Sequence, residues 1–208
     1  MRNHRDFVMA DSVLKRYIGS GGDVVIPDEV TRIGAHAFKN CCHIASIHIP
    51  DSVTHIGAQA FKGCKGLADK NGFVIVKGIL YGYWGTDTNI VIPNGVKKID
   101  IGVFLERSDL ISVAIPEGVT HLGNSAFYSC QSLESITLPD SLTTIGNEAF
   151  CNCAKLKDIH IPGSVTYISD LAFHHNDATR IQQLTIHAVR NSYAEMYAKE
   201  NNIPFAAI

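Results

Sequence analysis

The sequence predicts an α/β-type repeat solenoid, a right-handed coil that carries a parallel β-sheet on its concave face. Three observations predict it: a proline that recurs at a fixed interval, a phenylalanine at a fixed offset behind it, and a short run of alternating residues ahead of it. The prolines are Pro27, Pro50, Pro93, Pro116, Pro139 and Pro162. Four of the five intervals are 23 residues, and the fifth, Pro50 to Pro93, is that period plus a 20-residue insertion.

A residue type fixed at one offset occupies one place on every coil of a stack, so the columns convert into physics. Three residues after each proline stand Val30, Val53, Val96, Val119, Leu142 and Val165, and six after stand Ile33, Ile56, Ile99, Leu122, Ile145 and Ile168. Both are core columns. Eleven after come Phe38, Phe61, Phe104, Phe127, Phe150 and Phe173, whose rings are expected to stack as an aromatic spine. Segments such as LESITLP (133–139) and LKDIHIP (156–162) alternate as one short strand each. Stacked at about 4.8 Å per coil, such strands make a sheet with one face on the core and one in water. Gly34, Gly57, Gly123 and Gly146 recur seven residues after the proline, where a bend with positive φ is the expected reason, and Asp100 and Ser169 depart from that column.

The ends and the insertion complete a single solenoid domain over 1–208. Residues 1–22 read as an N-terminal cap, with a hairpin turning at Ala10-Asp11; 23–66 hold two repeats, 67–88 an inserted β-hairpin turning at Lys77-Gly78, and 89–187 four repeats. Residues 188–208 form the C-terminal cap. Within it Ser192 stands three before Glu195, a capping-box spacing, with Ala194, Tyr197 and Ala198 on one face and Asn201-Asn202 as a stop, which predicts a helix over 192–200.

The pattern L-x-x-I-x-I-P-x-x-V-T-x-I-G-x-x-A-F-x-x-C resembles the repeat of bacterial BspA-like leucine-rich-repeat proteins, over roughly residues 23 to 187. The resemblance implies a leucine-rich-repeat fold and a binding or adhesion scaffold, often displayed on bacterial surfaces. It also implies that Cys41, Cys64, Cys130 and Cys153, all fourteen residues after their prolines, form a ladder of buried, reduced thiols at a bend. Cys42 and Cys151 fall outside that ladder, at offsets held elsewhere by Lys65, Gln131, Lys39 and Lys62, and are expected in solvent. Exposed free thiols favour a reducing compartment.

With 18 basic against 20 acidic residues and no charge run, nucleic acid, anionic membranes and strongly acidic ligands are poor partners. No segment has the ~18 apolar residues of a membrane span. Charged residues interrupt the first nineteen positions, so a native start at Met1 predicts a cytoplasmic protein, and an excised domain leaves the bacterial surface or secretion open. No zinc spacing organises the ten histidines, of which Cys41-Cys42-His43 and His174-His175 are the local clusters. His55 and His121 share an outward column with Arg32, Lys98, Thr144 and Tyr167, and the acids Asp28, Asp51, Glu117 and Asp140 repeat once per coil as turn residues that bond nearby amides. No nucleophile elbow, phosphate loop or dinucleotide fingerprint is present, so neither an enzyme, a metal nor a cofactor is expected.

What is left is a surface. On the strands the outward pairs are Asp23/Val25, Ser46/His48, Asn89/Val91, Ser112/Ala114, Ser135/Thr137, Asp158/His160 and Gln183/Thr185, small and nearly uncharged. The inserted hairpin adds Tyr81, Tyr83 and Trp84, flat rings that give contact area at low entropic cost, or else bury themselves in a seam of the solenoid. The expected ligand site therefore comprises Tyr81, Tyr83, Trp84, His48, Thr137 and His160, facing an unidentified protein or glycan. The alternative is an intracellular structural or self-assembling repeat, although a monomer is favoured.

Overall fold

In the computed structural model the described residues are 4–174 and 183–208. They pack as two compact units, Met1–Gly85 and Thr86–Ile208. The first unit opens on a hairpin of β1 (Phe7–Ala10) and β2 (Val13–Tyr17). Two coils follow, one with β3 (Gly22–Val25) and β4 (Arg32–Ile33), the next with β5 (Ile44–His48) and β6 (His55–Ile56). A second hairpin, β7 (Phe73–Val76) and β8 (Ile79–Tyr83), ends the unit. β3 pairs with β5, and β2, β4 and β6 form a second parallel ladder.

In the second unit each coil again gives one strand to each of two ladders. β9 (Asn89–Val91), β11 (Ser112–Ala114) and β13 (Ser135–Thr137) make one, and β10 (Lys98–Ile99), β12 (His121–Leu122), β14 (Thr144–Ile145) and β16 (Tyr167–Ile168) make the other. β15 (Asp158–His160) pairs in parallel with β17 (Thr185–Ala188), which pairs with β18 (Phe205–Ala207) beyond the helix α1 (Tyr193–Glu200). Leucine-rich coils with parallel sheets are therefore the architecture of each unit.

The columns explain why each coil closes. The carbonyl of Pro27, Pro50, Pro116, Pro139 or Pro162 accepts a bond from the N–H of the apolar residue three on, at 3.0–3.4 Å, so a turn ends every strand of the first ladder. That turn drives Val30, Val119, Leu142 and Val165 to 0–1% exposure. The rings of Phe38 and Phe61 stack at 4.9 Å, and those of Phe104, Phe127, Phe150 and Phe173 at 5.1, 5.5 and 5.2 Å with interplanar angles of at most 10°. Ring geometry adds about 0.5–1.5 kcal/mol per pair. Removing such a buried ring costs about 3–5 kcal/mol, so burial is the larger effect.

The glycine column has a different cause from the one expected. Gly34, Gly57, Gly123 and Gly146 do not have positive φ; a Cβ at Gly123 would come within 2.6 Å of the Asp100 backbone, and one at Gly146 within 2.8 Å of Asn124 N. Close approach between coils excludes a side chain there. The left-handed residues come two positions later, at His36, Gln59, Ser125 and Glu148, and six later, at Asn40, Ser129 and Asn152.

The two hairpins share one design. Phe7↔Tyr17, Val8↔Arg16, Met9↔Leu14 and Ala10↔Val13 pair in the first, with an irregularity between Val8 and Met9. Phe73↔Tyr83, Val74↔Gly82, Ile75↔Leu80 and Val76↔Ile79 pair in the second, with the irregularity between Val74 and Ile75. Every position is matched 66 residues apart, down to the positive φ of Asp11 (51°) and Lys77 (47°) at the turns. Phe7 packs on Tyr17 at 5.6 Å and Phe73 on Tyr83 at 4.8 Å. At the other end of the chain, α1 starts as predicted: Ser192 Oγ accepts from Glu195 N at 3.3 Å, the Glu195 carboxylate accepts from Asn191 N, and Tyr197 continues the aromatic spine 6.1 Å from Phe173.

Candidate binding surface

In the first unit, β3 and β5 set Asp23 beside Ser46 and Val25 beside His48. The Ser46 hydroxyl donates to the Asp23 carboxylate at 2.5 Å, so this pair is internally satisfied, whereas His48 is exposed. His48 also lines a cleft of about 310 Å³ with Ile47, Ile49, Ile75, Val76 and Lys77. The Lys77 ammonium lies 3.5 Å from the Asp51 carboxylate, an exposed pair that contributes little to stability.

The hairpin aromatics need a correction. Tyr81 and Tyr83 are only 3% and 9% exposed: Tyr81 meets Phe61 edge-on at 5.3 Å, and Tyr83 packs on Phe73. Tyr81 joins Val74 and Val76 in the core cluster of the preceding coil, and Tyr83 pairs across the hairpin with Phe73, so both rings are taken up in packing and offer no face to a ligand. Trp84 is 52% exposed, with its indole Nε1 over Gly82, where a Cβ would lie 3.5 Å away. The signal was present in the sequence, since Tyr17 occupies in the first hairpin the place of Tyr83 in the second.

In the second unit one outward column runs Val91, Ala114, Thr137 and a parallel one Asn89, Ser112, Ser135. Ser112 Oγ donates to Asn89 Oδ1 at 2.7 Å, while Val91 is 75% exposed and Thr137 is exposed. The last outward pair is Thr185/His187, in place of the expected Gln183/Thr185, because β15 pairs Asp158 with Thr185 and His160 with His187. That shift creates a cluster that counting from the prolines missed. The rings of His160 and His187 stack at 4.6 Å, and His187 Nε2 lies 2.8 Å from Asp158 Oδ1. No proline marks this coil, so no offset located His187.

The thiols belong to the core. Cys64, Cys130 and Cys153 are fully buried and donate to the carbonyls of Phe38, Phe104 and Phe127 at 2.9–3.1 Å. Burial pushes the Cys64 and Cys130 thiols up to about 12 and raises Cys153 as well. Cys41 is half-buried, as is Cys42. Cys151 is 4% exposed, not in solvent as expected: its side chain is too short to reach past its neighbours as the lysines of that column do. Of the post-proline acids, Glu117 accepts from Asp140 N at 3.0 Å and Ser141 N at 3.3 Å of the next coil.

Among the described residues no three His, Cys, Asp or Glu side chains are placed to hold a metal ion; His175 lies outside them. No helix of the described residues is long and apolar enough to cross a membrane.

Stacked coils closed by proline turns, joined by parallel ladders and filled by a phenylalanine spine define a leucine-rich-repeat protein. The profile of the BspA type leucine-rich repeat region matches residues 18–71 and 81–203 in six copies, and the chain belongs to that family. Among solved structures, a leucine-rich cell surface protein from Faecalibacterium prausnitzii A2-165 is similar at 26% identity and a TM-score of 0.54, covering 90% of this chain and 59% of its own. The Treponema pallidum leucine-rich repeat protein (22%, TM-score 0.38) covers 94% of this chain and 89% of its own, and one from Bacteroides ovatus (24%, 0.37) covers 94% and 55%. The chain thus spans about three fifths of the first of these. No curated protein matches it.

Proposed function

We propose that the chain is a non-enzymatic binding scaffold whose strand faces hold a protein or glycan ligand, with adhesion at a bacterial surface as its setting. The carrying observation is the outward strand column of the second unit, where Val91, 75% exposed, Ala114 and Thr137 stand in register on a hydrogen-bonded ladder. A rigid, small-residue face lets a partner approach closely at little entropic cost. His160, stacked on His187, offers a polar group on the same unit, and His48 beside its cleft and the open indole of Trp84 offer the equivalent on the first. The cell-surface neighbour from Faecalibacterium supports the setting.

Glycan and host-matrix arrays probed with the whole chain test this reading, with Trp84→Ala and His160→Ala as matched variants. Capture lost in either variant at unchanged thermal midpoint supports it. Absence of capture by the parent on both arrays overturns it.

A further inference from the structure

The dipeptide Asn-Gly occurs twice in this chain, as Asn71-Gly72 and as Asn94-Gly95. In such a pair the side-chain amide is open to attack by the next backbone nitrogen, because glycine has no Cβ to hinder the approach and lets the backbone turn freely. Local structure decides whether the approach happens, and the two sites are built oppositely.

At the first site the backbone is held on both sides. Asn71 N donates to Asp69 Oδ1 at 2.8 Å and Gly72 N to Asp69 O at 2.9 Å, while Gly72 O accepts from Trp84 N at 2.7 Å. A Cβ at Gly72 would lie 2.4 Å from Gly85 N, so the peptide has no room to swing. The nitrogen that would attack is already a donor in a packed turn.

At the second site these restraints are missing. Asn94 and Gly95 are exposed, and a Cβ at Gly95 would meet nothing within 4 Å. Gly118, at the same place one coil on, donates its N–H to Ser141 Oγ at 2.8 Å; the residue that would have to serve Gly95 in this way is Gly118 itself, which has no hydroxyl. Likewise Glu117 bonds Asp140 N and Ser141 N, whereas among the described residues neither the Asn94 side chain nor the Gly95 amide makes a bond. The turn itself is unlatched: the N–H three residues after Pro27, Pro50, Pro116, Pro139 and Pro162 closes on the proline carbonyl, and Val96 N does not close on Pro93.

We propose that Asn94 is a site of spontaneous deamidation in the folded chain, with water as the co-reactant, and that local structure protects Asn71 from the same reaction. The Gly95 nitrogen attacks Asn94 Cγ and gives up its proton; the N–Cγ bond closes a cyclic imide, the Cγ–Nδ2 bond breaks, and the side-chain nitrogen leaves as ammonia with that proton. Water then opens the ring at one carbonyl or the other, leaving aspartate in the ordinary chain or isoaspartate. The ordinary product puts at position 94 the acid that Asp28, Asp51 and Asp140 carry on their own coils, so the coil accommodates it. Either product adds one negative charge just beyond Val91, at the end of the strand that opens the outward column of the second unit.

Ageing of the whole chain in mildly alkaline buffer, followed by tryptic digestion and fragmentation mass spectrometry, tests this. Peptides 71–77 and 78–97 each carry one of the two pairs. The expected result is a gain of about 1 Da at Asn94, divided between aspartyl and isoaspartyl forms. Conversion there should outrun that at Asn71 by about tenfold or more, the factor that releasing a bonded amide imposes. In urea the two rates should converge. Asn94→Gln, whose longer side chain cannot close the same ring, should abolish the shift in peptide 78–97 and so separate Asn94 from Asn89. Equal rates at the two asparagines in the folded chain, a shift that survives Asn94→Gln, or a folded chain unmodified at Asn94 while the unfolded chain converts would each overturn the proposal.

Discussion

At the scale of single residues, the glycines show how little separates a tolerated side chain from a collision. A Cβ at Gly146 would lie 2.7–2.8 Å from Asn124 and the Gly123 backbone, whereas at Gly163 it meets only Val189 Cγ2 at 3.9 Å with no positive φ. Gly146→Ala is therefore expected to destabilise by about 1–3 kcal/mol in urea titration, the range of overpacking. Gly163→Ala should stabilise by about 0.4–1 kcal/mol, by restricting the unfolded chain. The thiol ladder gives a pH dependence. Folding raises Cys130 from its ordinary 9.0 to about 12, so the fold holds a proton that the unfolded chain releases. Stability from this source is complete below pH 9 and falls as pH rises from there towards 12. Cys130→Ala should flatten the decline of the urea midpoint over that window, at a cost in overall stability because the buried sulfur's packing is lost and the Phe104 carbonyl keeps only the Arg107 N–H of its two donors.

At the scale of elements, the helix end and the hairpins teach opposite lessons about legibility. The start of α1 was readable from Ser192 and Glu195, because a cap is a local hydrogen-bond requirement, and its extent from the Ala194, Tyr197, Ala198 face and the Asn201-Asn202 stop. Ser192→Ala is expected to cost about 1 kcal/mol, measured as a shift in the unfolding midpoint. Lys199 first, and the Asn191 amide second, hold the Glu195 carboxyl below its usual 4.5, so this part of the cap is in force above that pH and fades as pH falls below it. The hairpins were readable as hairpins but not by face. Alternation fixes that Tyr83 and Trp84 point to opposite sides; it does not tell which side another coil will cover. Comparison of Phe7–Tyr17 with Phe73–Tyr83 supplies that answer, since both tyrosines lie inward.

At the scale of the molecule, the repeat determines nearly everything that recurs and nothing that occurs once. The strands, the proline turns and the phenylalanine spine were legible because each is stated six times. His187 was not, as its coil breaks the count, and neither was the burial of Cys151, which depends on how far one side chain reaches. Energetics should follow the same division, because in a stack each coil leans only on its neighbours. Phe127→Ala is expected to speed amide exchange first in the coils of Phe104 and Phe150, which hold its ring at 5.1 and 5.5 Å, and later in those of Phe38 and Phe61. Uniform acceleration over the whole chain would contradict that locality.

The 66-residue offset between the hairpins has a genetic consequence. A crossover within the gene that joined Ala10 to Lys77 would rebuild a complete hairpin from the strands Phe7–Ala10 and Ile79–Tyr83, since both copies share register, irregularity and turn. Daughter genes would encode chains shorter or longer by one block of 66 residues.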